Sequence, residues 1–243
     1  MSERTFYSLW QSQVAGKAPF DMAPFEMAKR GGELAETCGQ IFIAGYQAAI
    51  RQTFPEIDHG GWCCFAVTED RGNNATFAGV TIAAGKVSGF KTWIAAADCV
   101  DLLVLKVGNG DGALYGTVLA DDPGLTIQLR PGRFLADMSQ GAAEFKNAAF
   151  QQLSNASRVR EFRLIEPYYI YVAFLSRLSI LNNDVSEMAL TILKQQAEEY
   201  DVVRLDSEVS RLLGLMEEQA IELGDQWETD KRLLTMYSKG IKG

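Results

Sequence analysis

The sequence has little of the chemistry that metal sites and nucleophilic enzymes use most often. Of its 243 residues only one is a histidine, His59, which falls in the turn sequence Asp58–Gly61. A zinc site or a Ser–His or Cys–His catalytic pair is therefore not expected. The four cysteines are Cys38, Cys63, Cys64 and Cys99. They follow no metal-binding spacing and lie in apolar surroundings, which is typical of buried, reduced thiols in a cytoplasmic protein.

Runs of basic residues and long apolar runs are also absent. The 31 acidic residues outnumber the 23 basic ones, which gives a formal net charge of −8. Binding to nucleic acid needs a basic surface, so this class of partner is excluded. No stretch approaches the ~20 uninterrupted apolar residues of a membrane span, and Met1–Thr5 does not open a signal peptide. The sequence predicts a cytoplasmic protein with no nucleic-acid or membrane partner.

What the sequence does contain is a globular composition divided into three zones. Hydrophobic residues make up 47% and charged residues 22%, which are ordinary values for a folded domain. We predict a helical region over residues 1–57, a β-domain over 58–155 and a second helical region over 156–243. The predicted fold class is α+β, with N-terminal helices, a small antiparallel β-barrel or sandwich, and a C-terminal bundle of long helices.

Helical spacing of apolar residues marks both helical zones. Over residues 33–54 they recur every three or four positions, which predicts one helix with a broad buried face. Gly45 and the alanines within it predict close packing against a neighbour. In the last zone Glu166–Pro167 opens a helix, and Asp184 caps one long helix or two in tandem. Long amphipathic helices need a partner face, so we expect a homo-oligomer.

Short β-branched and aromatic runs, separated by glycine, aspartate and asparagine, characterise the middle zone. The predicted strands are Trp62–Thr68, Thr76–Ala84, Phe90–Ala95, Leu102–Gly108, Ala113–Leu119 and Leu125–Gln128. Asn109–Gly112 predicts a hairpin turn, because these residues tolerate positive φ. The alternating glycines around this turn are no dinucleotide-binding motif, since they join two strands rather than a strand and a helix.

Four segments of this zone follow one another in a defined order. Phe65–Glu69 reads Phe-Ala-Val-Thr-Glu, and Gly89–Ile94 reads Gly-Phe-Lys-Thr-Trp-Ile. Ala97–Asp98 then precedes an apolar strand, and Pro123–Leu125 follows that strand. In their order and spacing these segments resemble the acyl-CoA dehydrogenase family. The chain looks like a short, truncated and divergent member, with a shortened N-terminal helical region.

The resemblance implies FAD as a cofactor and implies which residues contact it. In the family, the Val-Thr-Glu segment brings backbone groups and a threonine hydroxyl to the edge of the flavin ring. The tryptophan of Trp-Ile packs its flat face near that ring. The cofactor-binding residues carried over on this basis are Phe65, Val67, Thr68, Asn73, Asn74, Trp93 and Ala95. Alternatively, Trp93 and Thr68 are plain core and strand residues that need no cofactor.

The sequence also departs from the family pattern. Ala95 stands where the family has a threonine or serine that donates near the flavin, and Asn73–Asn74 replaces a Gly-Ser turn. The family's Arg-x-x-Phe-Gly segment has no convincing counterpart. The glycine-rich flavin segment and the glutamate base of the family would come after Gly243, so no catalytic residue is assigned. These departures leave it open whether FAD is retained.

Three functions remain open at this point. The preferred one is a degenerate, non-catalytic relative that binds acyl-CoA or a related thioester, or that is the partner subunit of a full-length paralogue. The second is a small FAD-dependent acyl-CoA dehydrogenase, acting on a CH–CH bond, or a flavin monooxygenase. The third is an oligomeric scaffold without a ligand. Flavin colour and ligand-induced stability distinguish the three.

Overall fold

A computed structural model describes residues 1–15, 22–69, 78–132, 135–181, 190, 191 and 194. The α-helices are α1 (Glu3–Trp10), α2 (Pro24–Leu34), α3 (Cys38–Thr53) and α4 (Phe162–Leu181). The strands are β1 (Trp62–Ala66), β2 (Thr81–Ala83), β3 (Lys86–Ala95), β4 (Val100–Val107), β5 (Leu114–Leu119), β6 (Leu125–Arg130), β7 (Gln140–Ala149) and β8 (Gln151–Gln152).

The helix predicted over residues 33–54 is α3, which begins later than predicted, at Cys38. Thr37 sets this start, because its side-chain oxygen accepts a hydrogen bond from the backbone N–H of Gln40. The bond satisfies one of the donors that the first turn of a helix leaves unpaired. Leu34, which the prediction included, ends α2 instead.

The strands form two four-stranded sheets. The first sheet has the order β1-β4-β5-β8 and the second the order β2-β3-β7-β6. The described strands close no barrel, so the barrel alternative of the prediction is wrong. Strands β1 and β4 are parallel, which corrects the prediction of a purely antiparallel domain. Between β1 and β4 the chain builds β2 and β3 of the second sheet, and this crossover allows β4 to run in the same direction as β1.

Most predicted strands are present with their ends shifted. Five of the six predicted runs are present, as β1, β3, β4, β5 and β6. The sixth run, Thr76–Ala84, is present only as β2 (Thr81–Ala83), because residues 70–77 lie outside the described part of the chain. The turn between β4 and β5 contains Gly110 at φ +63°, as the hairpin prediction requires. β7 was not predicted, because its alanine-rich sequence favours helix. It is a strand because it pairs with β3 on one side and β6 on the other.

Helix α4 begins at Phe162 rather than at Pro167, where its start was predicted, so the proline lies inside the helix. The Phe162 ring packs on Phe65 at a centroid distance of 4.9 Å, and this contact holds the first turn against the core. The predicted cap at Asp184 and the long helices after it lie outside the described residues. Among the described helices, none combines the length and the apolarity needed to cross a membrane.

Close backbone contact joins α4 to α2 and α3. A Cβ atom added to Gly45 would lie 2.4 Å from the Cα of Ile170, and one added to Gly32 would lie 2.1 Å from the carbonyl oxygen of Ala173. The helices therefore approach to a distance that only glycine allows at these positions. The close packing predicted from Gly45 is confirmed.

Replacing Gly45 with alanine is therefore expected to destabilise the fold by about 3 kcal/mol, at the upper end of typical overpacking costs. The new methyl group meets helix backbone, which cannot rotate away as a side chain would. Gly60→Ala is the matched control, because a Cβ there has no atom within 4 Å. Urea unfolding of both variants measures the difference, and equal free energies of unfolding would contradict the described packing.

Candidate functional site

The two motif segments that carry the family resemblance are joined side by side in the structure. The backbone N–H of Thr92 in β3 donates to the carbonyl oxygen of Thr68 at 2.9 Å. The Thr92 hydroxyl donates to the same oxygen at 3.3 Å. Thr68 follows the end of β1, so these bonds fix the Val-Thr-Glu segment against the strand that carries Trp93.

A buried ion pair reinforces this junction. The ammonium of Lys91 lies 2.5 Å from a carboxylate oxygen of Glu69, and the Lys91 side chain is 1% exposed while that of Glu69 is 23% exposed. The same ammonium donates to the carbonyl oxygen of Lys106 in β4 at 2.7 Å. Burial lowers the pKa of Lys91, and the Glu69 carboxylate opposes part of that shift. One lysine thus connects β3, β4 and the segment after β1.

Trp93 lies beside this junction on a platform of aromatic rings. Its ring packs edge-on against Phe42 and Tyr46 of α3, with centroid distances of 6.5 and 6.3 Å. Its indole N–H donates to the side-chain oxygen of Gln140 at 3.2 Å. The Tyr46 hydroxyl in turn accepts from the backbone N–H of Phe65 at 2.9 Å. Trp93 is half-buried, so its orientation is fixed while part of the ring stays accessible.

Val67 and Thr68 form the open edge of the site. Val67 is 41% exposed, which is unusual for a large apolar residue next to a buried strand. Thr68 is exposed as well. We call Val67, Thr68 and Trp93 the flavin-facing surface, since they match the positions at which the family resemblance implies a flavin and lie on the two segments that the Thr92–Thr68 hydrogen bonds join.

The structure places the other residues expected at the flavin differently. Phe65 is buried in the core, with its ring 5.0 Å from that of Phe54, so it supports the site from behind. Ala95 is also buried, and its backbone N–H donates to the Cys64 sulfur at 3.3 Å. Asn73 and Asn74 lie outside the described residues. Lys91 and Glu69 were not predicted as residues of the site, although they are the charged residues of the two sequence motifs.

Two cavities open beside the flavin-facing surface. One of about 370 Å³ is lined by Val67, Thr68, Glu69, Lys91, Lys106, Gly108 and Asn109. Another of about 970 Å³ shares Glu69 and Lys106 and continues along the turn to Gly110. Lys106 is half-buried and borders both. Glycine-rich backbone next to a lysine is a setting that attracts phosphate groups.

These residues fit FAD by the chemistry of their groups. A flavin ring needs a flat apolar face, which Trp93 provides, and polar backbone at its edge, which the Val67–Glu69 segment provides. The phosphates of the cofactor, or those of a CoA ester, need a cation, which Lys106 provides. A flat ring, polar backbone and a cation are therefore present on the segments that the Thr92–Thr68 hydrogen bond and Lys91 join.

No protein-family model matches the chain, and no curated protein matches it significantly. Solved structures do match. The chain is similar to FkbI, named for biosynthesis of a methoxymalonyl extender unit, at a TM-score of 0.60 and 11% identity over 100% of this chain and 90% of FkbI. It is similar to the prolyl acyl carrier protein oxidase AnaB at a TM-score of 0.57 and 11% identity, over 100% of this chain and 73% of AnaB. It is also similar to the structure of PigA with FAD and proline, at a TM-score of 0.55 and 12% identity over 97% of this chain and 77% of PigA.

At these identities the similarity shows the fold. The chain has the acyl-CoA dehydrogenase fold that these solved structures share. The resemblance read from the sequence is confirmed at that level.

Proposed function

We propose that this chain, with its acyl-CoA dehydrogenase fold, is a flavoprotein that binds FAD at the flavin-facing surface. The observation that carries the proposal is the junction between the two motif segments. The Thr92–Thr68 hydrogen bond of 2.9 Å and the Lys91–Glu69 ion pair pre-assemble Val67, Thr68 and Trp93. Binding then costs little ordering of these groups.

Each residue of the surface has a distinct role toward the cofactor. Trp93 presents a fixed aromatic face, since Phe42 and Tyr46 prevent the ring from turning. Val67 excludes water from one edge. The Thr68 hydroxyl, exposed at the surface, is free to rotate toward an acceptor on the ring. When bound, FAD supplies the hydride-accepting chemistry itself, and the protein supplies orientation.

For the substrate we propose an acyl thioester, carried on CoA or on a carrier protein. The structure named as a prolyl acyl carrier protein oxidase has the same fold, which favours this class. The cavities bordered by Lys106 begin next to Thr68, so a phosphate-bearing carrier arm there would approach the flavin. A homo-oligomer and a full-length partner subunit remain predictions of the sequence.

A second function, a non-catalytic relative that binds an acyl thioester without turning it over, is favoured by one observation. At Ala95 the family pattern has a hydroxyl donor, whereas here the side chain has none. The Ala95 backbone N–H is directed at Cys64, so it does not replace the missing donor. Loss of a donor near the reacting part of a flavin is expected to lower the rate of chemistry more than the affinity for the cofactor.

Purification with added FAD followed by dialysis tests the proposed function. We expect a yellow protein that retains the flavin absorbance band and gains thermal stability, because a ligand that binds only the native state stabilises it. A colourless protein that acyl-CoA stabilises would instead favour the non-catalytic relative without flavin. A colourless protein that responds to neither ligand would contradict both proposals and favour the scaffold.

A further inference from the structure

Gln140, the first residue of β7, lies next to Trp93 of the flavin-facing surface. Its side-chain oxygen accepts the indole N–H of Trp93 at 3.2 Å. The backbone of Gln140 pairs with Ala95 of β3 on one side and with Arg130 of β6 on the other. Gln140 is therefore held in the middle of the second sheet, and its side chain reaches across to β3.

Gly132 approaches the same amide group from the loop between β6 and β7. A Cβ atom added to Gly132 would overlap the amide nitrogen of Gln140 and lie 2.9 Å from its amide oxygen. A side chain at position 132 would thus displace the group that holds Trp93. Because the amide is the end of a flexible side chain, the displacement moves the amide and leaves the backbone of the sheet in place.

Ser139, the residue before Gln140, is bonded through three of its polar groups. Its backbone N–H donates to both carboxylate oxygens of Glu3 in α1, at 3.2 Å each. Its hydroxyl oxygen accepts from the backbone N–H of Asp98 at 2.8 Å, and its carbonyl oxygen accepts from that of Ala97 at 3.1 Å. The backbone that leads into Gln140 is therefore fixed by α1 and by the turn between β3 and β4.

Helix α1 is itself bound to that turn. The Arg4 guanidinium donates to the two carboxylate oxygens of Asp98 at 2.8 Å each. Further along α1, the Tyr7 hydroxyl donates to Asp101 at 2.8 Å, and the same Asp101 oxygen accepts the first backbone N–H of β1. Glu3 and Arg4 lie four and three residues before Tyr7, which places all three on one side of the helix. One polar side of α1 thus contacts the turn, the start of β1 and Ser139.

We propose that Gln140 positions Trp93 for the cofactor, and that α1 fixes Gln140 in place through Glu3 and Ser139. The aromatic contacts of Trp93 hold the body of the ring, and the hydrogen bond to Gln140 sets the direction of its polar edge. A binding group is held more accurately when its own supports are bonded in turn. The consequence for FAD rests on the proposed flavin function, whereas the hold on Trp93 is measurable on the chain without FAD.

Hydrogen exchange at the Trp93 indole N–H, followed by NMR without FAD, tests this hold, and Trp93→Phe assigns the signal. Gln140→Met removes the acceptor at similar side-chain length and is expected to speed the exchange about fivefold, the effect of losing one hydrogen bond. Gln140→Glu keeps an acceptor oxygen and is expected to exchange as the unmodified chain does. Gly132→Ala is expected to match Gln140→Met, and the double variant is expected to exchange no faster, since both changes break the same bond.

A titration with FAD tests what the position of Trp93 means for the cofactor. Gln140→Met and Gly132→Ala are each expected to raise the dissociation constant for FAD about fivefold. Gln152→Met is the matched control for the first, because Gln152 is exposed on β8, at the edge of the first sheet farthest from β1. Gly60→Ala is the matched control for the second, because a Cβ there has no atom within 4 Å.

Glu3→Ala tests the part of α1. It is expected to speed the exchange of the Trp93 indole N–H by a smaller factor, about twofold, because the two bonds from Ser139 to the turn remain. Glu3→Gln keeps a side-chain oxygen that can accept from Ser139 and is expected to exchange as the unmodified chain does.

Unchanged indole exchange in both Gln140→Met and Gly132→Ala would overturn Gln140 as the positioning residue, whether or not FAD binds. Faster exchange with an unchanged dissociation constant for FAD would overturn its role toward the cofactor. Unchanged exchange in Glu3→Ala would overturn the part of α1. Failure of the unmodified chain to bind FAD would contradict the proposed function together with the cofactor role of Gln140, and the exchange rates would still decide the hold on Trp93.

Discussion

Replacing Trp93 with leucine is expected to raise the dissociation constant for FAD by at least about 30-fold, the loss typical of a central aromatic contact. Leucine keeps part of the apolar contact with Phe42 and Tyr46, so the fold is expected to survive. It removes the flat ring and the indole N–H that Gln140 holds. Fluorescence quenching during a titration with FAD measures the change.

Trp93→Phe is the matched control, since it keeps an aromatic face of smaller area and is expected to lose only a few-fold in affinity. Ile180→Ala tests for a general effect on the surface, because Ile180 is exposed in the last turn of α4, at the opposite end of the helix from Phe162, which packs on Tyr46 beside Trp93. Unchanged affinity in Trp93→Leu, with its circular dichroism spectrum intact, would remove Trp93 from the cofactor site.

Replacing Glu69 with glutamine is expected to lower the free energy of unfolding by about 3 kcal/mol, because it leaves a buried ammonium without its counter-charge. Lys91→Met is expected to cost less, about 1 kcal/mol, since the partly exposed Glu69 that remains can be hydrated by water. The double variant should regain part of the loss, which would show that the pair is coupled. Urea unfolding of the four proteins measures all three values, provided the m-values agree.

The pH dependence of stability gives an independent check on Lys91. Burial lowers its pKa in the folded chain below the ordinary 10.5, so the folded state binds fewer protons than the unfolded state in the interval between the two values. Stability therefore rises with pH through that interval, and the penalty is fully present below it. As the pH rises towards 10.5, the unmodified chain should therefore gain unfolding free energy relative to Lys91→Met. Parallel pH profiles would contradict a buried, charged lysine.

Local sequence patterns predicted the elements whose residues carry strong preferences. β1 and β3 were predicted from β-branched and aromatic runs, and the turn at Gly110 from its tolerance of positive φ. β7 was missed because alanine favours helix, and only pairing on both sides makes it a strand. The start of α4 was missed because Pro167 suggested a first turn, while a tertiary contact of Phe162 decided the position.

The candidate site shows the same division between local and tertiary information. Thr68 and Trp93 were identified from motifs, and the structure brings their segments together through Thr92. The sequence did not indicate that Lys91 and Glu69 form a pair, because their separation along the chain hides a contact that only the sheet creates.

A crystal structure of the chain grown with FAD is the most direct test of the proposed flavin site. We predict the isoalloxazine ring in van der Waals contact with the face of Trp93, with its polar edge at the backbone of Val67 and Thr68. A ring bound elsewhere on the molecule, or crystals in which a saturating concentration of FAD leaves this surface bare, would contradict it.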